Sequence, residues 1–187
     1  RGYRRVEKFV FIDDGNGMNK NQIYDYFIAT EGDKRGKAKG IGKFGVGAYM
    51  SGISQASKCE VYSKNKGEDW LYTILERGEK IPKPVVKPAP KEYDKFNSGT
   101  VVIWSETYSP FTDNDINNEE TGDNLLFELG RIYRKFLTDE KIHEGEVIEN
   151  ERKIMISLEV DDDNILTVTP YDPTFLTANP NTGDDTP

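Results

Sequence analysis

Two glycine-rich stretches decide how this chain of 187 residues is interpreted: residues 13–18 (Asp-Asp-Gly-Asn-Gly-Met) and residues 40–48 (Gly-Ile-Gly-Lys-Phe-Gly-Val-Gly-Ala). The first follows an apolar run, residues 6–13, whose pattern predicts a buried strand that ends in a loop. The second runs into residues 45–54, where small and apolar residues predict a helix packed tightly against a sheet. Each stretch therefore joins a predicted strand or helix to a loop in which glycine can adopt backbone conformations that other residues avoid.

The first stretch offers the chemistry of a base-binding site. A carboxylate fixed at a strand end is an acceptor, and the exocyclic amine of adenine is a matching donor, so Asp13 is the candidate adenine reader. Gly15 and Gly17 let the backbone come close, and Met18 can lie against the ring. The alternative interpretation is an ordinary Asp/Gly turn without a ligand.

The second stretch offers the chemistry of a phosphate site. Closely spaced glycines that lead into a helix expose N–H groups at the positive end of the helix dipole. Lys43 adds a positive charge, and a simple hinge is the alternative. Residues 31–42 are rich in Gly and Lys and are predicted to form a mobile lid, whose lysines either reach phosphates or are merely solvated. The candidate residues are Gly40, Gly42, Lys43, Phe44, Gly45, Val46, Gly47 and Ala48.

Three other nucleotide-binding classes are excluded by context. Residues 40–45 match G-x-G-x-x-G, but basic residues stand where a dinucleotide-binding fold needs a hydrophobic strand. A Walker A loop needs Ser or Thr after Gly-Lys, and Phe44 follows Lys43. The V-A-I-K, H-R-D and D-F-G elements of a protein kinase are absent.

The remaining pattern predicts an α/β two-layer sandwich, with helices on one face of a mixed, mostly antiparallel sheet. Residues 19–30 are predicted to form a helix capped by Asn19, with Ile23, Tyr26, Phe27 and Thr30 on one face. Further predictions are a hairpin of residues 58–63 and 70–76, a proline-rich surface excursion over 82–90, a strand at 99–106, a helix at 124–137, a strand at 153–159 and a frayed end from residue 179.

Composition restricts the class of protein. With 35% hydrophobic and 31% charged residues, and no apolar run near the roughly 20 residues of a membrane span, we expect a cytoplasmic protein with no membrane partner. Cys59 and His143 are the only residues of their types, which excludes an internal disulfide and the usual zinc site.

The net charge differs in sign between the first and second parts of the chain. Residues 1–112 carry 19 Lys/Arg and 14 Asp/Glu, a net +5, whereas residues 113–187 carry 6 and 19, a net −13. An acidic solvated extension and pairing with a basic partner are the two interpretations. We expect one domain over residues 1–178, with a core at 6–106, an acidic extension at 113–178 and a disordered tail at 179–187.

The order of these motifs resembles the GHKL superfamily, which groups gyrase B, the ninety-kilodalton heat-shock chaperones, histidine kinases and MutL. The resemblance covers about residues 6–106 and implies the Bergerat ATP-binding fold. It implies that Asp13 binds adenine within a box shared with Gly15, Gly17 and Met18. Thr100, in Gly-Thr-Val, is similar to the threonine that supports the adenine aspartate from a neighbouring strand.

The same resemblance implies ATP or ADP as ligand, phosphates bound by residues 42–48, and Mg²⁺. Residues 41–47 are most like the chaperone and MORC-type branch. A homodimer through the full-length protein, and a protein or DNA client, are the partners it implies. A degenerate protein-interaction module that does not turn over ATP is the alternative function.

One departure from the family concerns catalysis. The family carries an E-x-x-x-N box on a helix before its first strand, with the glutamate as general base and the asparagine as a magnesium ligand. The chain begins at Arg1, about where the family's second strand begins, so the first helix is expected to be missing and no catalytic base is assigned. A fragment of a larger protein and a degenerate nucleotide sensor are the two explanations.

Overall fold

The computed structural model describes residues 5–27, 47–94, 96–108, 112–116, 124–143, 146–150, 153–161 and 164–171. The chain divides into two units, Val6–Pro110 and Arg1–Arg5 with Phe111–Pro187. The predicted lid at 31–42 and the predicted frayed end from residue 179 lie outside the described residues.

The first unit is built on an antiparallel sheet of five strands in the order β1-β5-β2-β3-β4. The strands are β1 (Lys8–Asp13), β2 (Ala56–Lys64), β3 (Leu71–Glu76), β4 (Val85–Val86) and β5 (Gly99–Thr107). The strand β5 lies between β1 and β2, which explains its continuous apolar run. The prediction of an α/β fold with a mostly antiparallel sheet is confirmed, as is the predicted β2–β3 hairpin.

Two helices pack on one face of this sheet, as predicted. In α1 (Lys20–Asp25), Asn19 and Gln22 form a capping box, which explains where the helix begins. Ile23 and Phe27 of the predicted apolar face are fully buried in a cluster with Cys59 and other sheet residues. Thr30, also predicted for this face, lies outside the described residues.

The second helix, α2 (Gly47–Gln55), lies close to the sheet. A Cβ atom built on Gly52 would stand 3.4 Å from Sγ of Cys59 and 3.7 Å from Nε1 of Trp104. These contacts confirm the predicted tight packing, because a larger side chain at residue 52 would push the helix away from β2 and β5.

The opposite face of the sheet is partly covered by residues 82–94, which include the surface excursion predicted over residues 82–90. Ala89 is buried there, in a cluster with Tyr62, Trp70, Val101 and Ile103. The indole Nε1 of Trp70 donates to Oδ1 of Asp94 at 2.7 Å. The ammonium of Lys87 lies 3.7 Å from the ring centroid of Tyr72. Most of residues 82–90 are exposed, as the prediction of a surface excursion requires, and Pro84 and Ala89 are the buried exceptions.

The strand β1 occupies one edge of the sheet, where it pairs only with β5 among the described strands. Phe11 is 47% exposed and Ile12 is 44% exposed, so the prediction of a buried strand was wrong. The ring of Phe11 still packs against Trp104, with centroids 4.6 Å apart. An edge strand has a neighbour on one side alone, which leaves part of its apolar surface open.

The second unit contains α3 (Asp113–Ile116), α4 (Leu125–Leu137) and two hairpins. The hairpins are β6 (Glu140–His143) with β7 (Glu146–Glu149), and β8 (Ser157–Asp161) with β9 (Asn164–Thr167). The predicted helix at 124–137 is confirmed, with Asn124 as its N-cap. The strand predicted at 153–159 begins later, at Ser157.

No helix in the described part of the chain is both long and apolar enough to cross a membrane.

Candidate functional site

Asp13 and Thr100 lie opposite one another where β1 ends and β5 begins. Directly opposed residues of an antiparallel pair project from the same face of the sheet, with Cβ atoms about 5 Å apart. The Asp13 side chain is exposed, and its Oδ1 accepts a hydrogen bond from the amide of Gly15 at 3.0 Å. Because an ionised carboxylate has about four acceptor positions, Asp13 can accept further hydrogen bonds from a ligand.

The two glycines of the first motif are closely approached by other groups of the chain, Gly15 by a side chain and Gly17 by backbone. A Cβ on Gly15 would lie 2.7 Å from Oδ1 of Asp13, and a Cβ on Gly17 would lie 2.0 Å from the carbonyl oxygen of Lys64. Gly17 also has a φ of +70°, which L side chains rarely adopt. The glycines thus allow this loop to pass close to both Asp13 and the end of β2.

Met18 and Thr100 are joined through Ser63, the penultimate residue of β2. The amide of Met18 donates to Oγ of Ser63 at 2.8 Å, and that Oγ lies 3.1 Å from Oγ1 of Thr100 and 3.1 Å from the carbonyl oxygen of Gly99. Ser63 is fully buried and Thr100 is 8% exposed. Sequence reasoning missed Ser63, although its place after Cys59 and Val61 on the buried face of β2 was an available signal.

Tyr26 is a second neighbour of the site that the sequence indicated only as a core residue. Its ring packs against the buried cluster that Met18 also contacts. Burial first, and then the electrostatic influence of Cys59 and Asp13, raises the pKa of Tyr26 to about 12. The phenol therefore stays neutral across the ordinary pH range.

A family model described as "Histidine kinase-, DNA gyrase B-, and HSP90-like ATPase" matches residues 2–100, more than half of the chain. The chain belongs to this family. No curated protein sequence matches it. The GHKL resemblance is thereby confirmed, and the first unit is an ATP-binding domain of the GHKL type.

In this GHKL domain, the described residues include only the end of the predicted phosphate stretch. Gly40, Gly42, Lys43, Phe44, Gly45 and Val46 lie outside the described residues. Gly47 and Ala48 begin α2, so a helix does start directly after the glycine-rich stretch. A Cβ on Gly47 would have no heavy atom of the described residues within 4 Å.

The described residues of the GHKL domain form no candidate metal cluster. Within the ranges that the structure describes, no group of three or more His, Cys, Asp or Glu side chains could hold a metal ion. Asp13 offers carboxylate acceptors at the end of β1, and Met18 and Tyr26 pack against the buried cluster of the sheet.

Proposed function

We propose that the first unit binds ATP and ADP, with the adenine amine donating to the carboxylate of Asp13. The observation that carries this proposal is the placement of Asp13 opposite Thr100, with its carboxylate held by the Gly15 amide at 3.0 Å. A carboxylate oriented before the ligand arrives loses less conformational entropy on binding. Gly15, Gly17 and Met18 complete the base-binding half of the site.

The proposal for the phosphate-binding part of the site is based on the family and not on contacts of the described residues. We propose that the backbone of residues 42–48, with Gly40 before it and Lys43 as a cation, binds the phosphates at the start of α2. Closure of residues 31–41 over the nucleotide would then couple nucleotide state to a homodimer or to a protein or DNA client. The likeness of residues 41–47 to the chaperone and MORC-type branch favours this coupling.

Calorimetry with ATP and ADP on the wild type, Asp13→Asn and Asp14→Asn tests the adenine assignment. Asp13→Asn replaces a charged acceptor by an amide, and we expect about a 10- to 100-fold loss of affinity. Asp14→Asn is the matched control, because it changes the adjacent exposed carboxylate. Equal binding by the wild type and Asp13→Asn, or binding by neither while both are folded, would contradict the assignment.

The alternative function is a nucleotide-independent interaction module that uses the acidic second half. The net charge of −13 on residues 113–187 favours a basic partner. A pull-down of partners by the wild type with and without saturating ATP analogues, and by Gly45→Val, tests this alternative. Equal amounts of bound partner in all three cases would support it and would count against coupling of ATP binding to a partner.

A further inference from the structure

The strand β4 lies at the edge of the first unit's sheet, and among the described strands it pairs only with β3. Both of its residues are exposed, Val86 to 67%. The amide of Lys87 points towards β3, where it donates to the carbonyl oxygen of Trp70 at 3.0 Å. Because successive residues of a strand direct their N–H and C=O groups to opposite sides, those of Val86 face the edge of β4 that lies away from β3, its outer edge.

Two prolines limit what can pair with the outer edge of β4. Pro84 and Pro88 stand two residues before and two residues after Val86, and proline has no N–H. Between residues 84 and 88, the outer edge therefore offers a single N–H, that of Val86. A long strand cannot add to this edge through backbone hydrogen bonds alone. An occupant has to be recognised also by side chains, and those of Val85 and Lys87 are exposed beside it.

The strand β7 of the second unit has matching features. All four of its residues are exposed, Val147 to 63%. The amide of Asn150 donates to the carbonyl oxygen of Asp139 at 2.7 Å, on the side of β6. By the same alternation, the N–H and C=O of Val147 face away from β6, along the outer edge of β7. A hairpin of two strands is marginally stable by itself, so β6 and β7 would gain stability from a further strand at this edge.

The two outer edges are complementary in one antiparallel register. The residues that this register sets opposite one another are Val86 and Val147, Val85 and Ile148, and Lys87 and Glu146. The first pair joins the two residues whose backbone groups face the outer edges. The second joins two exposed apolar side chains, and the third joins opposite charges. The ion pairs among the described residues include neither Lys87 nor Glu146, so both charges can serve this contact.

We propose that β4 of one copy of the chain pairs with β7 of a second copy in this register, and that the chain self-associates in this way without nucleotide. The occupant is a second copy because the apolar residues of both strands stay exposed within one chain. Each copy offers both edges, so two copies can exchange two equivalent contacts. The contact is small, and we therefore expect weak association that increases with protein concentration.

The inference does not rest on the proposed binding of ATP. The strand β4 lies at the opposite edge of the sheet from β1, which carries Asp13. A failure of nucleotide binding would therefore leave the proposed pairing of β4 with β7 unaffected.

Sedimentation velocity over a range of protein concentrations tests the charged pair. In Lys87→Glu and in Glu146→Lys, like charges stand opposite one another, and each change should weaken self-association by about 10-fold. The double variant restores opposite charges and should recover the wild-type association, which damage to the fold could not produce. The matched controls are Lys66→Glu and Glu79→Lys, which make the same changes of charge at other exposed sites and should leave the association unchanged.

Hydrogen exchange at the Val86 and Val147 amides tests the backbone contact. Both N–H groups face outer edges, so we expect rapid exchange in dilute solution and protection that grows with protein concentration. Lys87→Glu should remove this protection. Because Lys87 also lies over the ring of Tyr72, at 3.7 Å from its centroid, urea denaturation of each variant checks that it is folded.

Each outcome counts for or against the inference. A folded wild type that stays monomeric at every soluble concentration would overturn it. Association that both single variants leave unchanged would mean that another surface is used, and a double variant that does not recover would mean that residues 87 and 146 do not meet. Protection of the two amides that does not depend on concentration would indicate pairing within one chain, which also contradicts the proposal.

Discussion

Gly99 approaches the backbone of Asp13 so closely that a Cβ at residue 99 would stand 2.2 Å from the Asp13 carbonyl oxygen. Gly99 also has a φ of +148°, a conformation that L side chains rarely adopt. Any side chain here would force the end of β1 away from the start of β5. The absence of a side chain at Gly99 therefore allows the end of β1 to stay close to the start of β5, which keeps Asp13 next to Thr100.

We predict that Gly99→Ala destabilises the first unit by about 2 kcal/mol or more, because the clash is with backbone that cannot rotate away. The same change should weaken ADP binding, since Asp13 has to move. Urea denaturation and calorimetry measure the two effects. Gly67→Ala is the control: Gly67 has a φ of +81° but no atom within 4 Å of its Cβ position, so we expect a loss of only about 1 kcal/mol and wild-type ADP affinity. Equal losses in both variants would show that the contact with Asp13 is unimportant.

We predict that Asp94→Ala loosens residues 82–94 from the sheet and costs about 1 to 3 kcal/mol. The change removes the acceptor of the Trp70 indole, and Trp70 is only 5% exposed. Asp94→Asn keeps a carbonyl acceptor and should cost less. Denaturation followed by tryptophan fluorescence measures the effect, and Asp69→Ala at an exposed site should change stability by less than about 0.5 kcal/mol. A stability of Asp94→Ala equal to that of Asp69→Ala would contradict this role.

Much of the fold was predictable because its signals are local. The β2–β3 hairpin, the capping box at Asn19 and the apolar face of α1 each depend on residues close together in sequence. The exposure of Phe11 and the burial of Ala89 were not predictable in this way. They depend on strand order and on which segment covers the second face, and both are set by contacts between distant parts of the chain.

The residues of the candidate site were also predictable only in part. Asp13 and Thr100 were predicted from motif order, and the structure places them opposite one another. Ser63 was missed because its alternation with Cys59 and Val61 indicates only a buried position in β2 and does not reveal which residues it contacts. The pairing register of β2 with β5 places Ser63 opposite Thr100, and its Oγ accepts a hydrogen bond from the Met18 amide. Neither contact can be deduced from the sequence around Ser63. Tyr26 has the apolar spacing of a core residue, which hides its proximity to Asp13.

We predict that Asn150→Asp severely destabilises the second unit. The Asn150 side chain is buried, and its Nδ2 donates to the carbonyl oxygens of Lys135 and Thr138, both at 2.9 Å, where α4 ends. A carboxylate would face two carbonyls without a hydrogen to donate, so we expect a cost of about 3 kcal/mol or more, and less for Asn150→Ala. Denaturation followed by the helical circular dichroism signal measures it. Glu149→Gln, at an exposed site, is the control, and a mild effect of Asn150→Asp would contradict the capping role.

The last prediction concerns alkaline pH. Burial raises the pKa of the Cys59 thiol from 9.0 to about 12, an effect that the hydrogen bond from Trp104 opposes and the charge of Glu60 reinforces. Between these two values the unfolded chain releases a proton that the folded chain retains. The stability that this thiol contributes is therefore complete below about pH 9 and is lost as the pH rises towards about 12. The slope approaches roughly 1.4 kcal/mol per pH unit for one group. Tyr26, with its pKa raised from 10.0 to about 12, adds a loss of the same sign.

Urea denaturation at a series of pH values from neutral to alkaline separates the thiol from the phenol. Cys59→Ala should cost stability at every pH, because it leaves a cavity beneath α2, but its stability should fall less steeply than that of the wild type above pH 9. Tyr26→Phe should keep the wild-type slope just above that pH and flatten the curve only where the phenol would ionise. A Cys59→Ala curve parallel to the wild-type curve throughout would mean that another group drives the alkaline transition.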